Sequence, residues 1–333
     1  MQLQNRLPVV GVNLPSVIGV QLVILQDRTT QGIVFLCLGV FTFTIQDAII
    51  KNVSGSYPVT QVVAIRSLVA LPILAGIVQA EIGLRALFSP RAGWLTLRAF
   101  TLFLSYTTYY LAFPVLPLAE AVALFFTAPL LITVLAGPVL AEKIGWRSWA
   151  AIAVGLAGVV IMLRPGTALF EPAAVLSLLS ALLYAAAALM TRRLGIAEKA
   201  SVMTFYSVWV YLAAAIGLAV LLQGAEISTT SHPSLSFLLR PWDKPTSSDF
   251  LLMAACGVIA AIAMTLLTNA YRAAPANIVA PFEYTGILWL PLWGFMFFSE
   301  IPRWTTALGA LLIIASGIAV LRQPKDSIRN SSS

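Results

Sequence analysis

Two 30-residue stretches of the chain decide its fold when they are compared with each other. Residues 117–146 read PLAEAVALFFTAPLLITVLAGPVLAEKIGW, and residues 275–304 read PANIVAPFEYTGILWLPLWGFMFFSEIPRW. A shift of 158 residues aligns the two stretches without a gap. The identities that this shift brings together are Pro117 and Pro275, Thr127 and Thr285, Glu142 and Glu300, Trp146 and Trp304, and beyond the stretches Arg164 and Arg322. The chain therefore contains a repeat of long apolar segments.

The composition of the whole chain assigns these segments to a membrane. Of the 333 residues, 59% are hydrophobic and only 10% are charged, and the mean hydropathy is +0.92. Soluble domains have about 45–50% apolar and about 25% charged residues, so the excess here requires lipid as the solvent. The net charge of +7 then indicates basic cytoplasmic loops rather than a nucleic-acid surface.

The residue types that carry enzyme chemistry are sparse. Cys37 and Cys256 both lie in apolar runs, and the single histidine, His232, lies in a polar loop. We find no Ser-His-Asp set, no metal-ligand spacing and no phosphate-binding glycine loop. We therefore expect no catalytic residue, no metal and no cofactor, and the chain is not expected to be an enzyme.

Ten windows are long and apolar enough to be membrane-spanning helices, which need about 20 residues each. These predicted spans 1–10 are residues 31–51, 58–79, 93–113, 118–141, 146–164, 170–191, 201–223, 250–271, 276–299 and 303–321. Residues 224–249 form the one long polar loop. Residues 1–30 contain Pro8, Pro15 and Asn13, which make a poor helix, so we interpret them as a disordered or interfacial tail.

The distribution of Lys and Arg predicts the orientation of the chain. With the N-terminus inside, thirteen basic residues fall in inner segments and five in outer segments. Cytoplasmic loops carry the excess of basic residues, so we expect both termini to be cytoplasmic and the number of spans to be even. The expected location is the inner membrane of a bacterium.

The repeat and the span count together predict an inverted architecture. Spans 3–5 overlay spans 8–10, and five spans per half is an odd number, so the second half would enter the membrane upside down. Inverted repeats are a recurrent plan of secondary transporters, with the solute site near the midplane. We thus expect an all-α membrane protein with one five-helix repeat at 31–165, a second at 166–323 and a C-terminal tail at 324–333.

Four segments of the sequence also resemble a known family. They are IQDAIIKNVSGSYPVTQVVAIRSL at 45–68, LPLAEAVALFFTAPL at 116–130, AEKIGW at 141–146 and APFEYTGILWLPLWGFMFFSEIP at 280–302. They resemble the EamA family of the drug/metabolite transporter superfamily, nearest to carriers of S-adenosylmethionine, riboflavin and amino acids. The resemblance implies ten helices in two inverted halves and no cofactor. The N-terminal extension and the 224–249 loop depart from the family pattern.

Five ionisable residues lie inside the predicted spans, where a charge costs about 2.5–3.5 kcal/mol at the bilayer centre. Asp47, Arg66 and Glu120 would form an outer cluster, and Arg98 and Glu283 an inner one. These residues could bind a polar or zwitterionic solute or close the cavity on each side. Alternatively, they are buried pairs that fix helix packing, and Arg98 and Glu120 could snorkel to an interface.

Aromatic residues within the spans could stack a planar solute. Tyr109 and Tyr110 lie in span 3, beside Tyr106, and Tyr284 and Trp289 lie in span 9. Core filling is the alternative role for each of them. Gly155 and Gly158 in span 5, and Gly309 and Gly317 in span 10, permit close helix approach, either within one chain or at a dimer face.

These observations favour a secondary transporter that moves a small polar organic metabolite by alternating access. Amino acids, S-adenosylmethionine and riboflavin are the solutes that we consider. Asp47 or Glu283 could take up a proton if transport is proton-coupled, because burial favours a neutral carboxyl group. The alternatives are a membrane enzyme acting on lipid and a channel, although filter-like loops are absent. The partners expected are the solute and lipid, with the chain a monomer or a homodimer.

Overall fold

A computed structural model describes residues 14–128, 130–132, 134, 135, 146–163, 171–194, 198–224, 232–273 and 280–321. All regular secondary structure in these ranges is helical. The expected all-α class is therefore confirmed for this part of the chain.

Eleven α-helices and two short 3₁₀ segments make up the described ranges. The helices are α1 (Leu14–Val53), α2 (Val59–Glu81), α3 (Ala92–Leu111), α4 (Leu118–Phe125), α5 (Trp146–Leu163), α6 (Ala173–Leu194), α7 (Ala200–Gly224), α8 (Pro233–Leu239), α9 (Ser247–Ala273), α10 (Gly286–Phe298) and α11 (Trp304–Leu321). The 3₁₀ segments are Leu84–Leu87 and Ala280–Thr285. Each predicted span overlaps a described helix, although the bounds differ, and α8 is a short additional helix inside the 224–249 loop.

Five helices of the described residues are long and apolar enough to cross a membrane. Their spanning segments are Thr30–Val53, Val59–Glu81, Ala173–Thr191, Ala200–Leu222 and Ser247–Leu267. Leu118–Ile132, Trp149–Leu163 and Trp304–Ala319 are shorter apolar helices. The chain is a multi-pass membrane protein, and the count of ten spans stays a prediction.

The first helix begins earlier than the sequence predicts. Helix α1 has 40 residues from Leu14 to Val53, so residues 14–30 are helical and the expectation of a poor helix there is wrong. The physical reason is the position of Pro15 in the first turn, where a missing N–H breaks no helical hydrogen bond. Residues 1–13 of the predicted tail, and the tail at 324–333, lie outside the described ranges.

Predicted spans 4 and 9 are both interrupted, at positions related by the 158-residue shift. Helix α4 ends at Phe125, and span 9 begins as the 3₁₀ segment Ala280–Thr285 before it becomes α10. The hydroxyl of Thr127 donates to the carbonyl of Leu124 at 2.8 Å, and that of Thr285 donates to the carbonyl of Phe282 at 2.7 Å. Glu283 consequently lies in a 3₁₀ segment and not in a regular α-helix, as Pro281 would cause.

The helices of the N-terminal half pack mainly against those of the C-terminal half. Helix α1 packs against α9, α2 against α7 and α9, α3 against α6 and α7, α4 against α6 and α10, and α5 against α11. The centre of the molecule is therefore an interface between the halves rather than the core of either half.

Gly155 and Gly158 of span 5 and Gly309 of span 10 serve the packing of α5 against α11 within one chain, whereas Gly317 lies against Tyr284. A Cβ added at Gly158 would lie 2.8 Å from the carbonyl oxygen of Gly309, and one added at Gly309 would lie 2.7 Å from that of Gly158. Side-chain neighbours of these glycines pair Gly155 with Ser316, Gly158 with Ile313 and Met162 with Gly309. Because the number falls in α11 as it rises in α5, the two helices run antiparallel.

The outward faces of the helices are apolar. Side chains between 63% and 67% exposed include Leu68, Val220, Leu251, Leu288 and Leu311. Water-soluble monomers rarely present large contiguous apolar surface, so these faces are suited to lipid tails.

Candidate functional site

Arg66 occupies the interior of the bundle, on α2, and is only 5% exposed. Its Nη1 donates to the hydroxyl of Tyr110 at 2.9 Å. The guanidinium carbon lies 5.2 Å from the ring centroid of Tyr110 and 5.8 Å from that of Tyr211. Two aromatic faces and a phenol therefore stabilise this cation in place of water.

Gln46 of α1 connects Arg66 to α9. With its amide oxygen turned toward Arg66, Gln46 accepts from Nη1 at 3.0 Å and from the Tyr110 hydroxyl at 3.0 Å, and its amide nitrogen donates to the carbonyl of Cys256 at 3.1 Å. This orientation gives hydrogen-bond partners to both ends of the amide.

Gly257 allows α9 to approach α2 at the level of Arg66. A Cβ added at Gly257 would collide with the backbone carbonyl of Arg66 and would lie 2.7 Å from the Cβ of Val69. The backbone of α2 is thus fixed against α9 at the residue that carries the buried charge. A small residue at position 257 positions Arg66 indirectly.

Asp47 lies beside this group and is 8% exposed. Its Oδ2 accepts a hydrogen bond from the Tyr109 hydroxyl at 3.2 Å, and it is within electrostatic range of Arg66. Arg66 bonds to Tyr110, and the ring centroids of Tyr109 and Tyr110 are 5.6 Å apart. The structure thus brings together Asp47 and Arg66, as the sequence predicted, but joins them through tyrosines and not as an ion pair.

A small cavity opens beside Arg66. Its lining includes Phe43, Tyr106, Tyr110, Tyr211 and Met264. The free space holds about one water molecule and is too small for an organic solute. The centre of the bundle is therefore closed around the buried charges in this conformation.

Five tyrosines from three helices form one group, which we call the tyrosine cluster: Tyr106, Tyr109, Tyr110, Tyr184 and Tyr211. Tyr106 lies 6.1 Å from both Tyr110 and Tyr211 between ring centroids. Phe125 links the cluster to α6, at 5.1 Å from Tyr109 and 5.3 Å from Tyr184.

Tyr184 and Tyr211 were missed as site residues by sequence reasoning. Both are phenols near the middle of an apolar span, which is the signal that selected Tyr110. Tyr184 also precedes a run of alanines, AAAAL at 185–189, and small neighbours leave room around an aromatic ring. Neither α6 nor α7 carries a charge near its tyrosine, so the sequence gives only a weak signal for Tyr184 and Tyr211.

Arg98 of α3 lies nearer the predicted inner side, and its donors are well occupied. Its Nε donates to the hydroxyl of Thr191 at 2.5 Å, and its Nη1 donates to Ser207 at 3.1 Å and to the carbonyl of Met203 at 3.4 Å. This arrangement ties α3 to α6 and α7. The packing interpretation accounts for all of these contacts.

Glu283 faces the same interior region as Arg98. Glu283 is partly buried. It lies within electrostatic range of Tyr106 and Tyr184, and Arg98 lies within range of the same two tyrosines. The predicted inner pair therefore shares two tyrosine neighbours.

Tyr284 and Trp289, the two other predicted site residues of span 9, pack against aromatic side chains. The Tyr284 ring packs against Phe126, with centroids 5.3 Å apart, and its buried hydroxyl has no hydrogen-bond partner among the described residues. Trp289 packs edge-on against Phe41 at 4.9 Å. Glu120 lies partly buried in the first turn of α4, where a negative charge complements the helix dipole.

An ion pair closes the bundle on the predicted outer side. Lys51, at the end of α1, pairs with Glu300, which follows α10. The i,i+4 spacing of Asp47 and Lys51 is typical of two residues on one helix face, but in the fold the Lys51 ammonium bonds to Glu300 and to the carbonyl of Leu116 at 2.7 Å. Of the described residues, no group of three or more His, Cys, Asp or Glu could hold a metal ion.

Comparison with known proteins assigns the family of this bundle. Residues 30–164 match the EamA-like transporter family. The chain carries an EamA transporter domain. The EamA resemblance of the sequence is confirmed, and with it the expectation of a transporter rather than an enzyme. The EamA domain includes Asp47, Arg66, Arg98 and the three tyrosines of α3.

Several known transporters are similar to this chain over nearly its whole length. The pseudopaline exporter CntI of Pseudomonas aeruginosa is 27% identical, covering 90% of this chain and 99% of its own. The S-adenosylmethionine uptake transporter of Rickettsia prowazekii is 26% identical, covering 89% and 94%. The riboflavin transporter of Vibrio cholerae is 27% identical, covering 88% and 93%. A crystal structure with 20% identity and a TM-score of 0.57 covers 88% of this chain and 96% of that one, which supports the fold alone.

Proposed function

We propose that this EamA protein is a secondary carrier that moves a small polar organic metabolite across the bacterial inner membrane by alternating access. The observation that carries the proposal is the buried site between the halves, where Arg66 and Asp47 each bond to a tyrosine. Buried charges of both signs inside a membrane protein suit the binding of a polar solute. Some relatives are named for uptake and others for export, so the direction of transport has to be measured.

Ten spans in two inverted halves, 31–165 and 166–323, are part of the proposal. The helix contacts support it, because the most extensive ones are retained when α1 to α5 are exchanged in order for α6, α7, α9, α10 and α11. The contact of α1 with α9 corresponds to that of α3 with α6, and the contact of α3 with α7 to that of α9 with α2. Contacts that are reciprocal in this way are typical of a two-fold relationship.

Individual residues support the same symmetry. Phe126 and Tyr284 differ by 158 positions and pack against each other, as equivalent residues do beside a two-fold axis. Gly155 contacts Ser316 while Gly158 contacts Ile313, which is one contact seen from both repeats. Because α5 and α11 are antiparallel, the axis would lie in the membrane plane.

The proposed orientation, with both termini in the cytoplasm, is supported by contacts between connecting segments. Trp242 donates to Thr60 at 2.9 Å and Arg240 to the carbonyl of Gly55 at 2.7 Å, so two predicted outer segments meet. Ser89 donates to Glu198 at 2.6 Å, so two predicted inner segments meet. These contacts join segments of the same predicted side.

The test is a thermal-shift screen of the purified protein, followed by transport in proteoliposomes. The panel contains amino acids, S-adenosylmethionine, riboflavin and nucleosides, because a bound solute raises the melting temperature by mass action. A carrier should show saturable uptake and counterflow of any solute that stabilises it. A conductance without saturation would indicate a channel, and turnover of lipid would indicate an enzyme.

Proton coupling is proposed through the carboxylates of Asp47 or Glu283. An imposed pH gradient should then drive solute against its own gradient. If collapse of the pH gradient leaves the transport rate unchanged, transport is not coupled to protons. The glycines of α5 and α11 are used within the chain, so a homodimer would need another surface and a monomer is proposed.

A further inference from the structure

Arg66 is a buried cation whose counter-charge is not supplied by the described part of the protein. The ion pairs in that part are Lys51 with Glu300 and Arg91 with Glu198. Asp47, although within electrostatic range, bonds to Tyr109. Charges removed from water are normally paired, so an unpaired guanidinium in an apolar bundle calls for a partner that comes from elsewhere.

The hydrogen-bond donors of Arg66 lead to the same conclusion. A guanidinium has five N–H donors in a fixed planar arrangement. Among the described residues, only Nη1 donates, to Tyr110 and Gln46. Nε and Nη2 have no acceptor there, and Arg66 lines the small central cavity. The second buried arginine, Arg98, has acceptors on both Nε and Nη1 from three residues, so among the described residues Arg66 keeps more donors without an acceptor than Arg98 does.

The arrangement around Asp47 suggests what the partner is. The carboxylate of Asp47 and the guanidinium of Arg66 are both buried, and each bonds to a different tyrosine, Asp47 to Tyr109 and Arg66 to Tyr110. The two charges therefore lie in one buried group without a direct ion pair between them. A ligand with both charges would complete this group when the bundle opens, since the cavity in the closed conformation is too small for it.

We infer that Arg66 binds a carboxylate group of the solute and that the carrier therefore selects carboxylate-bearing metabolites. This inference rests on the proposed carrier function and narrows its solute class. The planar guanidinium matches the two oxygens of a carboxylate. In a zwitterionic solute, the cationic group faces Asp47 and the tyrosine cluster. The inference favours amino-acid-like solutes such as S-adenosylmethionine over riboflavin, which has no carboxylate.

The first test compares pairs of probes on the wild-type protein. The pairs are S-adenosylmethionine with its decarboxylated analogue, and L-tyrosine with tyramine. A charge-assisted bidentate contact predicts that the acid member of a pair binds at least about tenfold more tightly. Affinities within threefold of each other, or transport of riboflavin with no transport of any acid, would overturn the assignment while leaving the carrier function intact. Absence of saturable transport for every solute of the panel would overturn both.

The second test places the discrimination on Arg66. In Arg66→Gln, the ratio of affinities for the acid and its decarboxylated partner should fall below about threefold, since the neutral amide cannot pair with a charge. Each ratio is measured on one protein, so partial loss of stability cancels. Gly76→Ala lies on the same helix, where an added Cβ meets nothing within 4 Å, and should keep the wild-type ratio.

A purely structural Arg66 gives a different result. The melting temperature of Arg66→Gln would fall while its ratio stayed at the wild-type value, and the inference would be wrong. If Arg66→Gln does not fold, Arg66→Lys retains the charge but loses the planar fork. It should keep a preference for the acid, reduced from the wild-type ratio. A ratio of affinities in Arg66→Lys equal to that of the wild type would contradict the assignment. Equal binding of both probes to the wild type would also contradict it.

Discussion

Lys51 and Glu300, 249 positions apart in sequence, form an ion pair that joins the ends of three helices. Glu300 also accepts from the backbone N–H of Leu118 at 3.0 Å, and Lys51 donates to the carbonyl of Leu116 at 2.7 Å. The pair therefore connects α1 and α10 to the first residue of α4. It closes the predicted outer side above the tyrosine cluster.

Glu300→Gln should destabilise the closed outer side. The variant keeps a hydrogen-bond acceptor for Leu118 but leaves the half-buried Lys51 without its counter-charge, so we expect a loss of about 1–3 kcal/mol. The measurement is the melting temperature in detergent. Arg91→Gln is the matched control, because Arg91 is 50% exposed and 4.0 Å from Glu198, and exposed pairs contribute about 0–1 kcal/mol. Equal losses in both variants would contradict a closing role for Lys51 and Glu300.

Glu283→Gln should lower uptake into proteoliposomes at least tenfold, a loss on the scale of one charge-assisted hydrogen bond, while the protein still folds and inserts. The substitution keeps the shape of the side chain and removes its charge. A role in packing alone predicts the opposite result, with a lower melting temperature and unchanged solute affinity. Both quantities can be measured on the same detergent sample. Normal transport by Glu283→Gln would exclude Glu283 from the site.

Asp47→Asn should impair binding of cationic and zwitterionic solutes more than binding of simple acids. The amide still accepts from Tyr109 but no longer balances a positive group. Its depth near the outer end of α1 predicts the larger loss when solute is presented from the external side. The measurement is initial uptake from each side of oriented vesicles. Equal losses from both sides would place Asp47 away from the outer entrance.

The basic residues predict the topology. Reporter fusions after Ser333 and within 80–92 should report cytoplasm, and fusions within 228–246 should report the outer side. The contact of Trp242 with Thr60 predicts that a fusion within 54–57 gives the same signal as one within 228–246. A cytoplasmic signal from 228–246 would show that the span count is wrong.

Gly158→Ala should destabilise the pairing of α5 with α11. The added methyl group would lie 2.8 Å from the Gly309 carbonyl oxygen and 3.0 Å from the Cβ of Leu312, so the helices would have to separate. We expect a loss of about 1–3 kcal/mol, as for other overpacked sites. Gly217→Ala is the control, since a Cβ there meets nothing within 4 Å and alanine favours the helix. Both are measured as melting temperatures, and a stabilised Gly158→Ala would contradict the close contact.

The positions of the helices could be predicted from the sequence, whereas their neighbours could not. Hydropathy and length located spans such as Val59–Glu81, because lipid requires about 20 apolar residues per crossing. The pairing of Lys51 with Glu300 depends on which helices are adjacent, and i,i+4 spacing on one helix predicted only a shared face with Asp47. The 3₁₀ segment at Glu283 was signalled by Pro281, but its geometry required the fold.

The site was predictable where charge identified it. Asp47 and Arg66 stood out because ionisable groups are rare in spans. Tyr184 and Tyr211 carry no charge, and an aromatic side chain in an apolar helix gives the same pattern whether it faces lipid or a solute. The sequence identified Gly155, Gly158, Gly309 and Gly317 as points of close helix contact. Their partners became clear only from the fold.

The backbone contact of Gly158 with Gly309 determines which parts of the bundle are free to move. Where two helices touch through their main chains, no side chain lies between the two backbones to repack. Sliding one helix past the other would therefore break the contact rather than exchange it for another. We expect α5 and α11 to behave as a fixed frame, against which the helices bearing Arg66, Asp47 and the tyrosine cluster tilt. Substitutions within this frame should therefore change the rate of the transport cycle while leaving the equilibrium affinity for solute unchanged.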